Sequence, residues 1–395
     1  MCRKIIHLDL DAFFCAVEEV RNPKLAGQAF AVGGRPDKRG VVASSSYAAR
    51  KFGVHSAMPM ARAIHICPNL KIVTPDHNLY SELSKQVMAQ LLKVTNLVEQ
   101  VSIDEAFLDV TKIDEPIDIL ARRIQTTIQS ELYLPCSLGI ATNKLVAKIA
   151  TDFGKSRSKT DGPPNAIHIV PPGQEAVFLE PLPVKALWGV GPKTANRLSK
   201  LGIQTIGDLA QWSELDLIRK FGKHGQLLAL HAKGLDDQPV VTSHPIKSIS
   251  RETTFTYDIR EKEALQTTLK SLSIKVGAKL KAKQLLGSTI KLKLRYSDFT
   301  TINRQITLNH PTNDEEIIFN SVDKLFTTFW KHGQAVRLLG VGVCNLGLPI
   351  RQLELWASSP NKDQASEKEQ RLHASVMELR SKYGNQILQW NKLED

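Results

Sequence analysis

Ile5-Ile-His-Leu-Asp-Leu-Asp-Ala-Phe-Phe14 (IIHLDLDAFF) and, far along the chain, Val101-Ser-Ile-Asp-Glu-Ala-Phe-Leu-Asp-Val110 (VSIDEAFLDV) decide how this protein folds. In the first, Ile6, Leu8 and Leu10 alternate with His7 and Asp9, the period of two of a strand with one apolar face. The Asp9 side chain then points away from that core. In the second, Asp104 and Glu105 are neighbours. Neighbours on a regular strand face opposite ways, so both reach one site only at a hairpin tip or a bend. With the first strand beside that hairpin, three carboxylates converge. Three anions held together need a counter-charge, and Mg2+ is the natural one: it takes hard oxygen ligands and bridges carboxylates to phosphates. Two such ions about 3.5–4 Å apart would stabilise the attacking and leaving oxygens of an in-line phosphoryl displacement. The spacing alone also accommodates strand-end caps at Asp9 and Asp104, with Glu105 simply exposed.

Outward from these stretches the chain divides into modules. IIHLDLDAFF runs from a strand into a helix through residues 16–19, and residues 19–74 form a small mixed unit with the turn signal GGRPDKRG (33–40). A helical stretch around 77–95, a strand pair in VEQVSIDEAFLDV (98–110), a helix near 116–131 and a strand at CSLGIAT (136–142) follow. Residues 171–233 read as short helices punctuated by glycine. The polar, proline-containing GLDDQPVVTSHP (234–245) reads as a linker. Residues 246–347 alternate four strands with helices near 261–284 and 314–331, an α+β module. Past Trp356 the composition turns polar, and the spacing of Leu372, Val376 and Leu379 beyond it is that expected of a short amphipathic helix.

Of 395 residues, 42% are apolar and 23% charged, which fits a folded chain and excludes wholesale disorder or a collagen-like repeat. No apolar run approaches the roughly 18 residues of a membrane span, and the opening, broken by His7, Asp9 and Asp11, is not expected to be a cleaved secretion signal. Five scattered cysteines without a CxxC pair argue against a disulfide framework or a zinc site, so a cytoplasmic location is expected. The formal charge of +12 points to a polyanionic partner. Residues 244–347 hold 16 Lys and Arg against 9 Asp and Glu. Within them Lys291, Lys293 and Arg295 alternate with Ile290, Leu292 and Leu294, which on a strand makes one basic and one apolar face. Lys275, Lys279, Lys281 and Lys283 precede them on an expected helix. A solvated face explains such a pattern as well as a phosphate track does.

Four motifs occur in order: Asp9-Leu-Asp-Ala-Phe-Phe14, Ser44-Ser-Ser-Tyr47-Ala-Ala-Arg50-Lys-Phe-Gly-Val54, Ser102-Ile-Asp104-Glu105-Ala-Phe-Leu-Asp109 and Ala147-Lys148-Ile-Ala-Thr-Asp-Phe-Gly-Lys155. On these the chain resembles a Y-family DNA polymerase, most similar to the DNA polymerase IV branch, from residue 3 to about residue 356. The resemblance implies an α+β right-hand architecture: palm 1–18 and 75–170, fingers 19–74, thumb 171–233, linker 234–243, little finger 244–347 and a tail 348–395. It implies template-directed, error-prone translesion synthesis, with nucleotides passing from dNTPs to a primer 3′-OH. Asp9, Asp104 and Glu105 match the positions that hold two Mg2+ ions, with the Leu10 backbone carbonyl as a further ligand. Ser44 (a Thr in many relatives), Tyr47, Arg50 and Lys155 match positions that hold the triphosphate, where cationic donors suit developing charge. Phe14 matches the steric gate that excludes a 2′-hydroxyl, while Phe13 is expected in the core and Cys15 as an inert buried thiol. The chain departs from the family in one place. Relatives commonly read Lys-Pro-Asn-Gly after this last motif, whereas here GKSRSKTDGPPNA (154–166) adds residues that would shift the following loop.

LWGVGPKTANRLSKLGI (187–203) resembles a helix-hairpin-helix, with Gly189 and Gly191 in the turn and Pro192 opening the second helix. Its free N–H groups would bind a DNA phosphate without reading sequence, and KFGKHGQ (220–226) would add a second contact. With the basic strand these make a non-specific, salt-sensitive duplex clamp. Once the modules are placed, no segment is left for a proofreading exonuclease, and the small Ala43, Ser44, Ser45 and Ser46 of the fingers make a loose pocket. Gln352, Leu353, Leu355 and Trp356 resemble the peptide by which bacterial polymerases dock on a sliding clamp, though a last edge strand suits them too. A monomer is expected. A catalytically silent DNA-binding scaffold is disfavoured by the intact carboxylates. A nucleotidyl cyclase is disfavoured by the hairpin glycines and the basic module.

Overall fold

The structure, a computed structural model, describes residues 2–348. The first strand, β1 (Ile5–Leu10), leads into helix α1 (Phe13–Arg21). The chain then builds a small separate sheet from β2 (Phe30–Gly33), β3 (Val42–Ser45) and β4 (Lys71–Val73), with short helices α2 (Tyr47–Lys51) and α3 (Met60–Ile66) around a core of its own. It returns through α4 (His77–Val94), β5 (Val98–Gln100), β6 (Glu105–Asp109), α5 (Ile117–Leu132), β7 (Cys136–Ala141), α6 (Lys144–Arg157) and β8 (Ile167–Ile169). These complete a five-stranded sheet of order β5-β6-β1-β7-β8, in which β1 pairs antiparallel with both β6 and β7.

Both faces of β1 are covered, which refines the expectation that Asp9 simply looks away from the core. Ile6, Leu8 and Leu10 pack with Val87 and Leu91 of α4 and with Leu120, Ile124 and Ile128 of α5. Ile5 lies in a second core with Leu145, Val146 and Ile149 of α6. That helix sits close because Gly139 of β7 has no side chain: a Cβ there would stand 2.1 Å from the Ala147 carbonyl oxygen. Only toward the end of β1, where α6 turns from apolar residues to Lys148 and Lys155, is there room for a partly exposed carboxylate.

The second core continues into a helical unit of α7 (Glu175–Leu179), α8 (Pro192–Ser199), α9 (Ile206–Ala210), α10 (Glu214–Phe221) and α11 (Lys223–Ala232). Trp188, in the loop before α8, rests 5.8 Å from the Phe107 ring of β6. The polar stretch after α11 is not a free tether. Asn143 Nδ2 donates to the Gly234 carbonyl at 2.8 Å, Asp236 accepts the Leu145 N–H, and the Val241 N–H donates to Glu99 at 2.8 Å. Its polar groups complete buried ones on the sheet, Glu99 also being paired with Lys144 at 2.9 Å.

The last unit contains β9 (Ser248–Ile259), α12 (Lys262–Ala282), β10 (Leu286–Tyr296), β11 (Thr301–Thr312), α13 (Glu315–Phe329) and β12 (Val336–Gly347), its antiparallel sheet ordered β11-β10-β12-β9. The period-two pattern of β10 does what it predicts. Ile290, Leu292 and Leu294 are buried with Leu269, Val276 and Phe326 of the two helices, and Lys291 is exposed on the other face. The lysines of α12 do not join that basic face. Lys275 and Lys279 are exposed on the helical layer and Lys281 is paired with Glu315, because the apolar stripe of α12 must face the sheet. Arg39 meets Asp258 of β9 at 2.6 Å, tying the small three-stranded unit to this one.

Candidate active site

The β5–β6 hairpin supplies the bend that the adjacent carboxylates require. The N–H groups of Val101 and Ser102 both reach the Glu105 carbonyl, at 3.0 and 3.3 Å. The Ser102 hydroxyl accepts the N–H groups of Asp104 and Glu105 at 3.2 and 3.0 Å. This local turn costs no ladder bonds and places Asp104 just before the strand and Glu105 within it. The tip is stitched to β1 by the Leu10 N–H donating to the Asp104 carbonyl at 3.0 Å. Across the sheet, Asp9 stands in register with Glu105 on one side and Ser137 on the other.

Asp9 and Asp104 share a cavity of about 210 Å³ whose wall also includes Leu10, Phe14, Ser44, Arg50 and Lys155. Glu105 is not on that wall: its Oε1 takes the Lys148 ammonium at 2.8 Å, and its Oε2 lies 4.0 Å from His7 Nε2. Lys155 reaches Asp9 at 2.6 Å, and the Ser102 hydroxyl donates to Asp104. With each carboxylate held by its own partner, no three His, Cys, Asp or Glu side chains among the described residues are gathered tightly enough to grip an ion as they stand. The donor set nonetheless fits a hard divalent cation. Burial pushes the Asp9 carboxyl up to about 7, with Lys155 pulling it down and Glu105 and Asp104 pushing it up. That value already includes the pull of Lys155, so full ionisation of Asp9 at neutral pH takes more positive charge than the ammonium alone supplies, which is what a divalent cation would add. Lys155, although burial acts against it, is held above the usual lysine range by Asp9 and Asp11.

The remaining expected contacts come from two helix starts. Ala12, at φ 49°, turns the chain sharply out of β1, and α1 then begins at Phe13. Phe13 is buried, while the half-buried Phe14 ring stacks on Tyr80 at 4.3 Å and 16°. Cys15 is buried beside Ser44, its thiol raised to about 11 by burial, which leaves it inert. In the small unit, Ser46 caps α2 by accepting the Ala49 N–H at 3.2 Å. Arg50 is exposed, donates to the Ser45 carbonyl at 3.1 Å and lies 4.6 Å over the Tyr47 ring. Tyr47 is half-buried against the main core and, unlike Ser44 and Arg50, does not line the cavity.

Lys155, in the last turn of α6, lines the cavity beside Asp9, and the added residues come after it. They bulge outward, Asp161 pairing with Lys51 at 2.6 Å, and the chain returns with the Asn165 N–H donating to Asp11 and the Ala166 N–H to the Ser137 hydroxyl, each at 3.0 Å. Residue order does not single out two participants, Asp11, which pairs with Lys155, and Lys148, which pairs with Glu105. The signal for Asp11 was its place two residues beyond Asp9 in an otherwise apolar run.

The outer face of the four-stranded sheet carries a cavity of about 490 Å³ lined by Lys291, Lys293, Arg304, Asn303, Gln305 and their neighbours. Glu252, Gly340 and Lys293 are in register across three strands, and Glu252 reaches over Gly340 to Lys293 at 2.8 Å. A Cβ at Gly340 would sit 2.9 Å from Glu252 Cγ. A DNA phosphate on Lys293 must displace this carboxylate. Glu252→Gln should therefore tighten primer-template binding by about two- to fivefold at low salt. A filter-binding titration that showed equal or weaker binding would contradict this. In the helical unit, Gly189 takes φ 91° and Gly191 precedes Pro192 at the start of α8. Gly191 has an ordinary φ of −76° and open space beside it, so what it offers is room for close approach rather than a left-handed turn. Gly222, at φ 63°, joins α10 directly to α11.

An acidic hairpin against a central strand aspartate, facing Arg50 and Lys155 across one cavity, together with a separate antiparallel sheet carrying a basic face, is the arrangement of a right-hand nucleotidyltransferase, the class to which template-directed DNA polymerases belong. Models of the impB/mucB/samB family and of its C-terminal domain match residues 8–152 and 246–355, and a DNA polymerase-iota thumb domain model matches 185–236. A DNA polymerase IV of Listeria innocua is 43% identical over 347 residues, 87% of this chain and 95% of that protein. One of Dehalococcoides mccartyi is 40% identical over 386 residues, 97% of this chain and 95% of that protein. Among solved structures, a Y-family DNA polymerase chimera of Dbh and Dpo4 matches with a TM-score of 0.77 at 28% identity, covering 87% of this chain and 99% of its own. An insertion ternary complex of Dbh DNA polymerase matches with a TM-score of 0.61 at the same identity and coverage. The chain belongs to the Y family of DNA polymerases, in the DNA polymerase IV branch. It is a DNA-directed DNA polymerase of the translesion type, divalent-metal-dependent, that binds DNA and deoxynucleotides. No helix of the described residues is long and apolar enough to cross a membrane.

Proposed function

We propose that the chain extends primers across damaged template by in-line nucleotidyl transfer, with two Mg2+ ions held by Asp9, Asp104, Glu105 and the Leu10 carbonyl. What supports this most is that Asp9 and Asp104 share one cavity with Arg50 and Lys155, so acidic and phosphate-binding groups face each other. Bound ions would supply positive charge to the reacting oxygens. The chain's own residues do the positioning. Arg50 and Lys155 offer charge-assisted donors to the triphosphate, Ser44 a hydroxyl and Tyr47 a platform under Arg50. Phe14 sets the floor beneath the sugar. Residues 1–18 with 75–170, 19–74, 171–233 and 244–347 act as palm, fingers, thumb and little finger, joined by 234–243. Primer extension by the purified protein that needs template and Mg2+ tests the reaction.

Small fingers residues over an open cavity support tolerance of distorted template bases and synthesis without excision. A mismatched primer end should persist in the presence of the enzyme, and its efficient removal would refute this. Gln352, Leu353, Leu355 and Trp356 lie outside the described residues; we assign them to sliding-clamp docking by a monomeric, cytoplasmic enzyme. Trp356→Ala should abolish stimulation by the clamp and leave clamp-free extension unchanged, because a few apolar anchors supply most of such an affinity. Undiminished stimulation in a processivity assay would remove the assignment.

A further inference from the structure

We propose that Asp11 is a positioning residue for the nucleotide site: it tethers Lys155, so that the ammonium can leave Asp9 when a divalent cation arrives and still remain at the triphosphate. The inference rests on Asp9 as a cation-holding carboxylate and Lys155 as a phosphate contact. Asp11 is fully buried, and its carboxylate is engaged by three separate segments. The Ser137 hydroxyl of β7 lies at 3.0 and 2.9 Å, the Asn165 N–H from the returning loop at 3.0 Å, and Lys155 Nζ from the last turn of α6 at 3.0 Å.

A buried carboxylate is costly and is kept only where its partners are fixed. Here two partners, the Ser137 hydroxyl and the Asn165 N–H, belong to Asp11 alone, and the third, Lys155, is shared with Asp9. Lys155 bridges Asp11 and Asp9, and an ammonium has three donors for two carboxylates. Asp9 faces the cavity, where a divalent cation would compete for the same oxygens, whereas Asp11 is off the cavity wall and out of that competition. Displacement from Asp9 therefore frees one donor without freeing the side chain. The Asp11 N–H donates to the Pro135 carbonyl at 2.9 Å, and Ala12 beside it holds the left-handed turn that aims Phe14. The same carboxylate also gathers in the returning loop through the Asn165 N–H.

The test is a double-variant cycle on the full chain bound to primer-template. Asp11→Asn keeps the shape and the neutral hydrogen bonds but removes the charge facing Lys155. It should raise the dNTP KM about tenfold with a smaller change in kcat. In a Lys155→Met background the same change should have no further effect on KM. Mn2+ titrated into the DNA-free protein and followed by electron paramagnetic resonance gives a readout apart from turnover. Asp11→Asn alone should weaken Mn2+ binding, because Lys155 then rests on Asp9 only, and it should have no effect once Lys155 is Met. Ser137→Ala removes a neutral partner of Asp11 and should lower the melting temperature without moving KM. Additive effects of Asp11→Asn and Lys155→Met, or a KM shift in Ser137→Ala equal to that of Asp11→Asn, would overturn the tether alone. An unchanged KM in Lys155→Met would remove the phosphate contact and the tether with it.

Discussion

Asp9→Asn should reduce primer extension by about a thousandfold or more while leaving primer-template binding and the melting temperature close to those of the unaltered protein. Cation stabilisation of transferring phosphoryl oxygens is worth several kcal/mol, and each ~1.4 kcal/mol is tenfold in rate. The fold has little to lose. Asn matches Asp in shape, burial already pushes the Asp9 carboxyl up to about 7, and Lys155 retains Asp11 as a partner. A side chain that acted only as a strand-end cap would behave differently, since the amide could replace it with little change in rate. Extension within tenfold of normal would show that Asp9 is structural, and the metal reading of the whole hairpin would go with it.

Phe14→Ala should admit ribonucleotides, raising their incorporation relative to deoxyribonucleotides by roughly 5- to 150-fold, the equivalent of relieving about 1–3 kcal/mol of overpacking. The ring is well placed to repel. It is half-buried, stacked on Tyr80 at 4.3 Å, and flanked edge-on by His77, so it cannot swing aside to make room for an added hydroxyl. Losing the stack should cost about 0.5–1.5 kcal/mol of stability beyond the buried area, visible as a lower melting temperature. Single-nucleotide insertion with matched ribo- and deoxyribonucleotides measures the discrimination, and a ratio unmoved by the substitution would exclude the gate.

Several of the features behind these expectations are legible from residue order because they are periodic or local. Ile6, Leu8 and Leu10 announce a strand face, and Ile290, Leu292 and Leu294 another, since side chains on a strand alternate whatever surrounds it. The need for a bend at Asp104 and Glu105 follows from the same alternation, and the Ser102 turn that makes it lies within four residues. Where period and locality fail, so does legibility. The lysines of α12 look continuous with the basic strand in one dimension but lie on the opposite layer, because the apolar stripe of the helix chooses its side.

The order of residues alone, then, settles which strands have a buried face and which half of the chain carries the excess positive charge, and it marks Asp104 and Glu105 without deciding whether they bend to one site. These depend on a residue and its near neighbours. Which lysine answers which carboxylate is settled only by the packed chain: Lys155 with Asp9 and Asp11, Lys148 with Glu105, Lys144 with Glu99. Each pair joins residues far apart in sequence, and its existence depends on α6 lying close across Gly139 and on a loop returning to Asp11. An ion pair is worth having only at contact distance, and contact distance between remote segments is a property of the fold.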